Sequence, residues 1–264
     1  DATAFTGDDL GAYALSVALT RSVGLGDHAG ALTVLDDAGR RLPEAQWQRA
    51  FDAVAALALI NDGSQAEALR RARSAQRESL PPWQLMGVFN EAEAVRRLGE
   101  CRRPRVLATQ SLRAAGSSSA LIGLGGLRTL IQLELQDARL AAAQDRAQRL
   151  LGSVLLDHVP RAIAYGSHGL VLAAEGSLPE AEEAVTIALA ALGGDERTGL
   201  GRGLAMHLAR VRASRGDVEG SAQAALLCRE LTGVRDGWPM VNVLLADAFA
   251  GLAGGQLSGP AELI

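Results

Sequence analysis

The feature that most constrains this chain is a short polar turn that recurs along it at nearly regular intervals. Successive turns are 37, 36, 37, 40 and 40 residues apart. They stand at Gly26-Asp27, Gly63-Ser64, Gly99-Glu100, Gln136-Asp137, Gly176-Ser177 and Gly216-Asp217. Glycine readily adopts the positive φ that ends a helix, and an adjacent Asp or Ser can cap the next helix. A unit repeated at such a period cannot bury its own apolar face, so neighbouring units must stack.

The stretches between the turns carry the apolar periodicity of helices. Apolar residues recur three, four and seven positions apart, as in Ala181, Ala184, Val185 and Ala188. Strict alternation of apolar and polar residues is nowhere sustained, and Gly and Pro cluster between the helical stretches. The sequence therefore predicts an all-α fold, a right-handed superhelical solenoid of about six helix-turn-helix pairs plus a closing helix.

The boundaries of these pairs follow from the turns. We expect one domain over residues 1–264, all of it repeat structure. The predicted pairs cover approximately residues 9–44, 46–80, 82–116, 119–156, 158–193 and 198–233, and the closing helix covers approximately 238–252.

Composition excludes several classes of protein. The net charge of −4 argues against a dedicated binder of nucleic-acid backbones. No apolar run reaches the ~20 residues of a membrane-spanning helix, so a cytoplasmic protein is expected. All 26 basic residues are Arg, which indicates a GC-rich genome. Because the chain starts at Asp1 without a leader pattern, we expect a processed chain or an excised segment. The only cysteines, Cys101 and Cys228, form no CxxC pair and are predicted to be buried structural thiols within helices.

Two segments resemble the tetratricopeptide repeat. In GDHAGALTVLDDAGRRLP the turn, the small residue five positions later and the proline match its pattern. The segment YGSHGLVLAAEGSLPEAEEAVTIAL matches better, with Gly169 at the small position of the first helix. The resemblance covers residues ~9–250, but the period exceeds the usual ~34 residues, most aromatic positions are replaced, and Pro104 stands where Ala is expected.

Longer, irregular, Ala/Leu-rich repeats of this kind look like the sensor domain of large LuxR-type, MalT-like regulators of actinobacteria. The phrases ALALINDGSQAEALRRAR and LVLAAEGSLPEAEEAV are similar to the repeats of that group. The resemblance implies a parent protein with an N-terminal ATPase and a C-terminal DNA-binding helix-turn-helix domain, neither of which is in this sequence. ATP and DNA contacts would then belong to those domains, and this segment is expected to bind no cofactor.

Catalytic motifs are missing from the sequence. There is no GxxxxGK[ST], no HExxH and no GxSxG, and the four histidines have no metal-ligand spacing. The GLGGL run at residues 123–127 lies in a helical pattern, which favours close helix packing over a phosphate loop. The prediction is therefore a binding and regulatory domain without an enzyme activity or a metal site.

Candidate binding residues come from the resemblance, because the first helix of each tetratricopeptide pair lines a concave groove. Polar groups on such a wall can orient a ligand. The repeat frame gives Asn90, Glu93, Arg97, Arg128, Tyr165 and Arg210 as groove residues. The alternative interpretation is a solvated helix face, on which Glu91, Glu93, Arg96, Arg97 and Glu100 form pairs three and four residues apart.

The expected occupant of the groove is a peptide, a protein or a small-molecule signal. Contact with DNA is expected only through the helix-turn-helix domain, contact with membranes is not expected, and self-association is left open. The alternative function is a stand-alone scaffold that holds a partner peptide or protein and has no link to transcription.

Overall fold

Helices are the only regular secondary structure in the described part of this protein. The computed structural model describes residues 7–77, 81–115, 120–153, 158–193, 199–232 and 238–255. No strand occurs in these ranges. The prediction of an all-α fold is confirmed for this part of the chain.

Thirteen α-helices and one short π-helical segment, Thr20–Gly24, make up the described structure. The α-helices, numbered α1 to α13 in chain order, are Gly7–Leu19, His28–Arg41, Ala45–Asp62, Gln65–Ala75, Pro81–Arg97, Arg102–Ala115, Ala120–Gln136, Leu140–Ser153, His158–Glu175, Leu178–Ala191, Gly199–Ser214, Val218–Thr232 and Trp238–Ala253.

Four of the glycines that the sequence singled out close helices in the same way. Gly63, Gly99, Gly176 and Gly216 have φ values of 102°, 91°, 86° and 76°. After each of them, the next residue donates its backbone N–H to the carbonyl five positions earlier. Ser64 N, for example, lies 2.9 Å from Leu59 O. This 6→1 bond satisfies a carbonyl that the helix end would otherwise leave without a donor.

The turn after α7 was predicted two residues too early. The sequence placed it at Gln136-Asp137, but α7 ends at Gln136 and the left-handed residue is Ala138, with φ of 56°. The same 6→1 bond follows, since Arg139 N lies 2.8 Å from Glu134 O. The turn therefore forms with alanine where the other turns use glycine.

The sequence predicted that an Asp or Ser beside the turn caps the next helix. Only the aspartates do so. Asp27 and Asp217 each accept a hydrogen bond from the backbone N–H three residues later, at 2.9 Å. Ser64 and Ser177 occupy the corresponding positions before α4 and α10, but their side chains make no capping bond. Pro104 is buried in the first turn of α6, where its missing N–H leaves no helical bond unmade.

The chain divides into two compact units, Asp1–Thr129 and Leu130–Ile264. In the first unit α1 contacts α2 and α3, α2 contacts α3, α3 contacts α4 and α5, and α5 contacts α4 and α6. In the second unit α9 contacts α8, α10 and α11, and α11 contacts α10, α12 and α13. Contacts between helices that are close along the chain are consistent with an α-solenoid.

Small side chains set the packing distances within each unit. In α2 and α4, Ala31, Ala68 and Ala72 are completely buried. Gly169 of α9 lies against α10, and a Cβ there would come within 2.7 Å of Val185 Cγ2 and 3.2 Å of Ala181 O. Gly169 is thus a small position that allows close helix approach, as its match to the repeat predicted.

No helix in the described ranges is both long enough and apolar enough to cross a membrane.

Candidate functional site

Three of the predicted groove residues lie on one face of α5. Asn90, Glu93 and Arg97 follow each other at intervals of three and four residues, so helical geometry aligns them. Asn90 and Glu93 are buried, at 0% and 5% exposure, and the Arg97 side chain is 13% exposed. This face of α5 is therefore a polar surface inside the first unit.

Glu93 is the centre of the arrangement. Its carboxylate accepts two hydrogen bonds from Arg96, at 2.7 and 2.9 Å, and one from Arg97 Nε at 2.8 Å. Thr129 Oγ1 of α7 donates to the same carboxylate at 3.4 Å. Burial alone would raise the pKa of Glu93, but the charges of Arg96, Arg97 and Arg128 outweigh it and hold the pKa well below its usual range. The carboxylate is therefore ionised at neutral pH.

Arg128 of α7 is the third guanidinium at this site. It is partly buried, and it interacts electrostatically with Glu93, Arg96 and Arg97. Burial is the largest influence on Arg128 and lowers its pKa; repulsion from the other two arginines acts in the same direction, and Glu93 opposes them. Among the described residues Arg128 makes no ion pair within 4.0 Å. We call Glu93, Arg96, Arg97, Arg128 and Thr129 the Glu93 cluster.

Two side chains on this face of α5 bind the neighbouring helix α3. Arg97 Nη1 donates to Ile60 O at 2.8 Å, and Asn90 Nδ2 donates to Ala53 O at 2.8 Å. Asn90 Oδ1 is buried and has no hydrogen-bond partner in the described structure. A buried acceptor without a donor is uncommon in folded proteins.

The solvated-face interpretation is wrong for the acidic residues of α5. Glu91, like Glu93, is buried, at 2% exposure. Its carboxylate accepts from Gln76 at 2.7 Å and from Arg73 at 3.0 Å, and it also pairs with Arg103. Burial tends to raise the pKa of Glu91, but these partners lower it overall. Glu91 thus joins α4, α5 and α6.

The remaining predicted groove residues belong to the second unit. Tyr165 of α9 is partly buried and packs on an apolar cluster, with the guanidinium carbon of Arg161 5.7 Å from its ring centroid. Arg210 of α11 is partly buried, and burial lowers its pKa. Arg210 makes no ion pair among the described residues. A groove that unites all six residues stays a prediction.

Sequence reasoning did not assign Arg96 or Thr129 to the groove. Arg96 was interpreted as one member of the charged pairs on a solvated helix face, and its ion pair with Glu93, three residues earlier, has the spacing of such a pair. Thr129 carried no signal, because its contact with Glu93 joins residues 36 positions apart.

The glycine-rich run packs closely, as expected for a helix interface. A Cβ on Gly125 would come within 2.7 Å of the Phe89 ring, and one on Gly126 within 3.2 Å of Ser111 Oγ. This run therefore brings α7 against α5 and α6, which places Arg128 and Thr129 beside Glu93.

The cysteine predictions were half right. Cys228 is buried in α12, where burial raises the pKa of its thiol to about 11. Cys101 is exposed and lies between α5 and α6. The prediction of a buried helical thiol at Cys101 is wrong because α5 ends at Arg97.

A second surface feature lies on α6. An open depression of about 570 Å³ is lined by Arg105, Val106, Thr109, Gln110, Arg113 and Ala114. Arg113 is exposed and makes no ion pair among the described residues, which makes it a useful control for Arg128.

No protein-family model matches the sequence, and no curated protein is significantly similar to it.

Proposed function

We propose that this chain is a non-catalytic ligand- or protein-binding regulatory domain. The observation that carries the proposal is the Glu93 cluster, in which one ionised carboxylate holds two guanidiniums in fixed positions beside a third. Such preorganised donors lower the entropic cost of binding a partner. The first helices of adjacent predicted pairs, α5 and α7, supply them.

The more specific proposal, a sensor domain of the LuxR-type, MalT-like group, comes from the sequence resemblance. The structure contributes only an all-helical fold whose helices close at left-handed residues and pack through Ala and Gly. A ligand that prefers one arrangement of stacked helices would shift the population towards it. In the regulator, that shift would reach the ATPase and the DNA-binding domain; this part of the proposal rests on the sequence resemblance.

The first test is the sequence of the native polypeptide. The regulator proposal expects an ATPase with a phosphate-binding loop before this segment and a helix-turn-helix domain after it. A native chain without either would reject the regulator and leave the stand-alone scaffold.

The second test is a thermal-stability screen of the chain against small molecules and peptides. We expect hits that raise the melting temperature of the wild type and of Arg113→Gln but have less effect on Arg128→Gln. Hits that stabilise all three proteins equally would reject the Glu93 cluster as the binding site.

A further inference from the structure

Helix α13 carries an apolar stripe that is open to solvent. Val241, Leu245, Ala248 and Leu252 follow each other at intervals of four, three and four residues, which places them on one face of the helix. Leu245 is 42% exposed and Leu252 is 50% exposed, and the other two residues are partly exposed. The packed side of α13 is a different one, on which Ala246 is completely buried in the apolar cluster of the second unit.

The contacts between helices explain why this stripe is open. Helix α3 contacts α1 and α2 as well as α4 and α5, and α11 contacts α9 and α10 as well as α12 and α13. Helix α13 packs against α11 and α12, and no other described helix packs extensively against it. Units of a solenoid bury their apolar faces by stacking on neighbours. The stripe is therefore a face on which a further helix can stack.

The partner that suits this stripe is itself an apolar helix face. Asp247 is the only charged residue of α13, and it is paired with Arg229 of α12 at 2.8 Å. Intervals of four and three residues are those of the a and d positions in the seam between two packed helices. A charged ligand would lose hydration on such a surface without gaining an opposite charge.

We propose that this stripe pairs with the same stripe of a second copy of the chain, with the two α13 helices antiparallel. A two-fold axis through the middle of the stripe places Leu245 opposite Ala248 of the copy, and Val241 opposite Leu252 of the copy. Each contact then joins a larger side chain with a smaller one. A parallel pair would instead set Leu245 against Leu245 and leave a gap between the two alanines.

The charge and length of the stripe fit such a dimer. A copy presents the same uncharged face, so no like charges meet in the seam. From Val241 to Leu252 the seam is only about 16 Å long, and small interfaces form transient complexes, so we expect a reversible dimer. The stripe belongs to the second unit, whereas the Glu93 cluster belongs to the first, so this inference does not depend on the proposed binding function.

The first test is sedimentation equilibrium of the full chain over a wide range of concentrations, in which we expect a monomer–dimer equilibrium. Leu245→Glu brings two unpaired carboxylates into the seam and should weaken dimerisation at least about tenfold. Leu226→Glu is the matched control, because Leu226 is 55% exposed on α12 and lies outside the stripe. It should change the dissociation constant less than about twofold. Both leucines are exposed in the single chain, and helical circular dichroism checks that each variant folds.

The second test is a rescue that depends on the antiparallel pairing. In a dimer of Leu245→Glu with Ala248→Arg, the introduced carboxylate of one chain faces the introduced guanidinium of the other. We expect an equimolar mixture of the two variants to dimerise at least about tenfold more tightly than either variant alone, since the opposite charges are then paired.

A wild type that stays monomeric at every concentration would overturn this inference, and so would equal weakening by Leu245→Glu and Leu226→Glu. A mixture that dimerises no more tightly than its two components would overturn the antiparallel pairing. A longer native polypeptide that stays monomeric, and that Leu245→Glu destabilises, would show that its own chain covers the stripe, which also overturns the inference. None of these outcomes bears on the Glu93 cluster, which the thermal-stability screen tests.

Discussion

Glu93 shows how a single acidic residue can determine the stability of a helix interface. Replacing it with glutamine removes the carboxylate that pairs with Arg96 and Arg97 and that attracts Arg128 electrostatically. Breaking a buried ion pair in this way typically costs about 3–5 kcal/mol. We expect Glu93→Gln to lower the free energy of unfolding by that amount in urea denaturation at pH 7. Glu100→Gln, an exposed change just after the same helix, is the control and should cost less than about 0.5 kcal/mol.

The lowered pKa of Glu93 determines how the free energy of unfolding that Glu93→Gln removes should depend on pH. Because the pKa of Glu93 is lowered in the folded protein, its ionised form contributes stability above its unfolded pKa of about 4.5. The contribution declines as the pH falls below that value towards the folded pKa. Wild-type stability should therefore rise more steeply between about pH 3 and pH 5 than that of Glu93→Gln, by at most ~1.4 kcal/mol per pH unit. Parallel curves would contradict this account.

The two thiols should differ sharply in reactivity. The nucleophile is the thiolate, and a pKa of about 11 leaves about one Cys228 in a thousand ionised at pH 8. Cys101 is exposed. We expect an aromatic disulfide reagent to label one thiol per chain under native conditions and two in denaturant. Cys101→Ser should abolish the native labelling, and rapid labelling of that variant would show that Cys228 is accessible.

Sequence reasoning reached part of this residue-scale description. The repeat frame grouped Asn90, Glu93 and Arg97, and their spacing of three and four residues aligns them on one face of α5, a relation local to that helix. That this face lines a groove stays a prediction. Sequence reasoning did not identify the contact between Glu93 and Thr129, which depends on how deeply α7 packs against α5. That depth is set by Gly125 against Phe89, a fit of shapes that periodicity does not encode.

At the scale of helices, substituting a packed glycine tests why it is there. The glycine either allows two helices to approach closely or only makes the chain more flexible. Gly169 faces Val185 Cγ2 and the Ala181 carbonyl, so an added methyl group forces α9 and α10 apart. We expect Gly169→Ala to destabilise the protein by about 1–3 kcal/mol, the usual cost of overpacking. Gly203→Ala in α11 is the matched control, because a Cβ there meets nothing within 4 Å. It should stabilise by about 0.5–1 kcal/mol through helix propensity, and a similar gain in Gly169→Ala would contradict the packing account.

The turns show what a local sequence pattern predicts and where it stops. Gly63, Gly99, Gly176 and Gly216 were identified because a left-handed residue favours glycine. Ala138 was missed, since nothing in its own chemistry favours φ of 56°. A left-handed conformation at alanine carries a local cost that glycine at the other turns avoids.

At the scale of the whole chain, the order of helix contacts determines how far a local change spreads. In the first unit α5 contacts α3, α4 and α6, whereas α1 contacts α2 and α3. When each helix packs on near neighbours in the chain, segments can open separately and stability need not be uniform. A defect at Glu93 should therefore affect α4, α5 and α6 more than α1 and α2.

Native-state hydrogen exchange can measure this spread. In Glu93→Gln we expect amide protection in α5 and α6 to fall by roughly the global loss of stability, with α1 and α2 changing by less than about 0.5 kcal/mol. Gly11→Ala supplies the mirror experiment, because its Cβ would lie within 2.6 Å of three atoms of the Trp47 ring and so disturb α1 against α3. In Gly11→Ala the loss of amide protection should be largest in α1, α2 and α3. A uniform loss of amide protection across the first unit in both variants would show that the unit opens as one cooperative body. Binding at the Glu93 cluster would then act on all helices of the unit together.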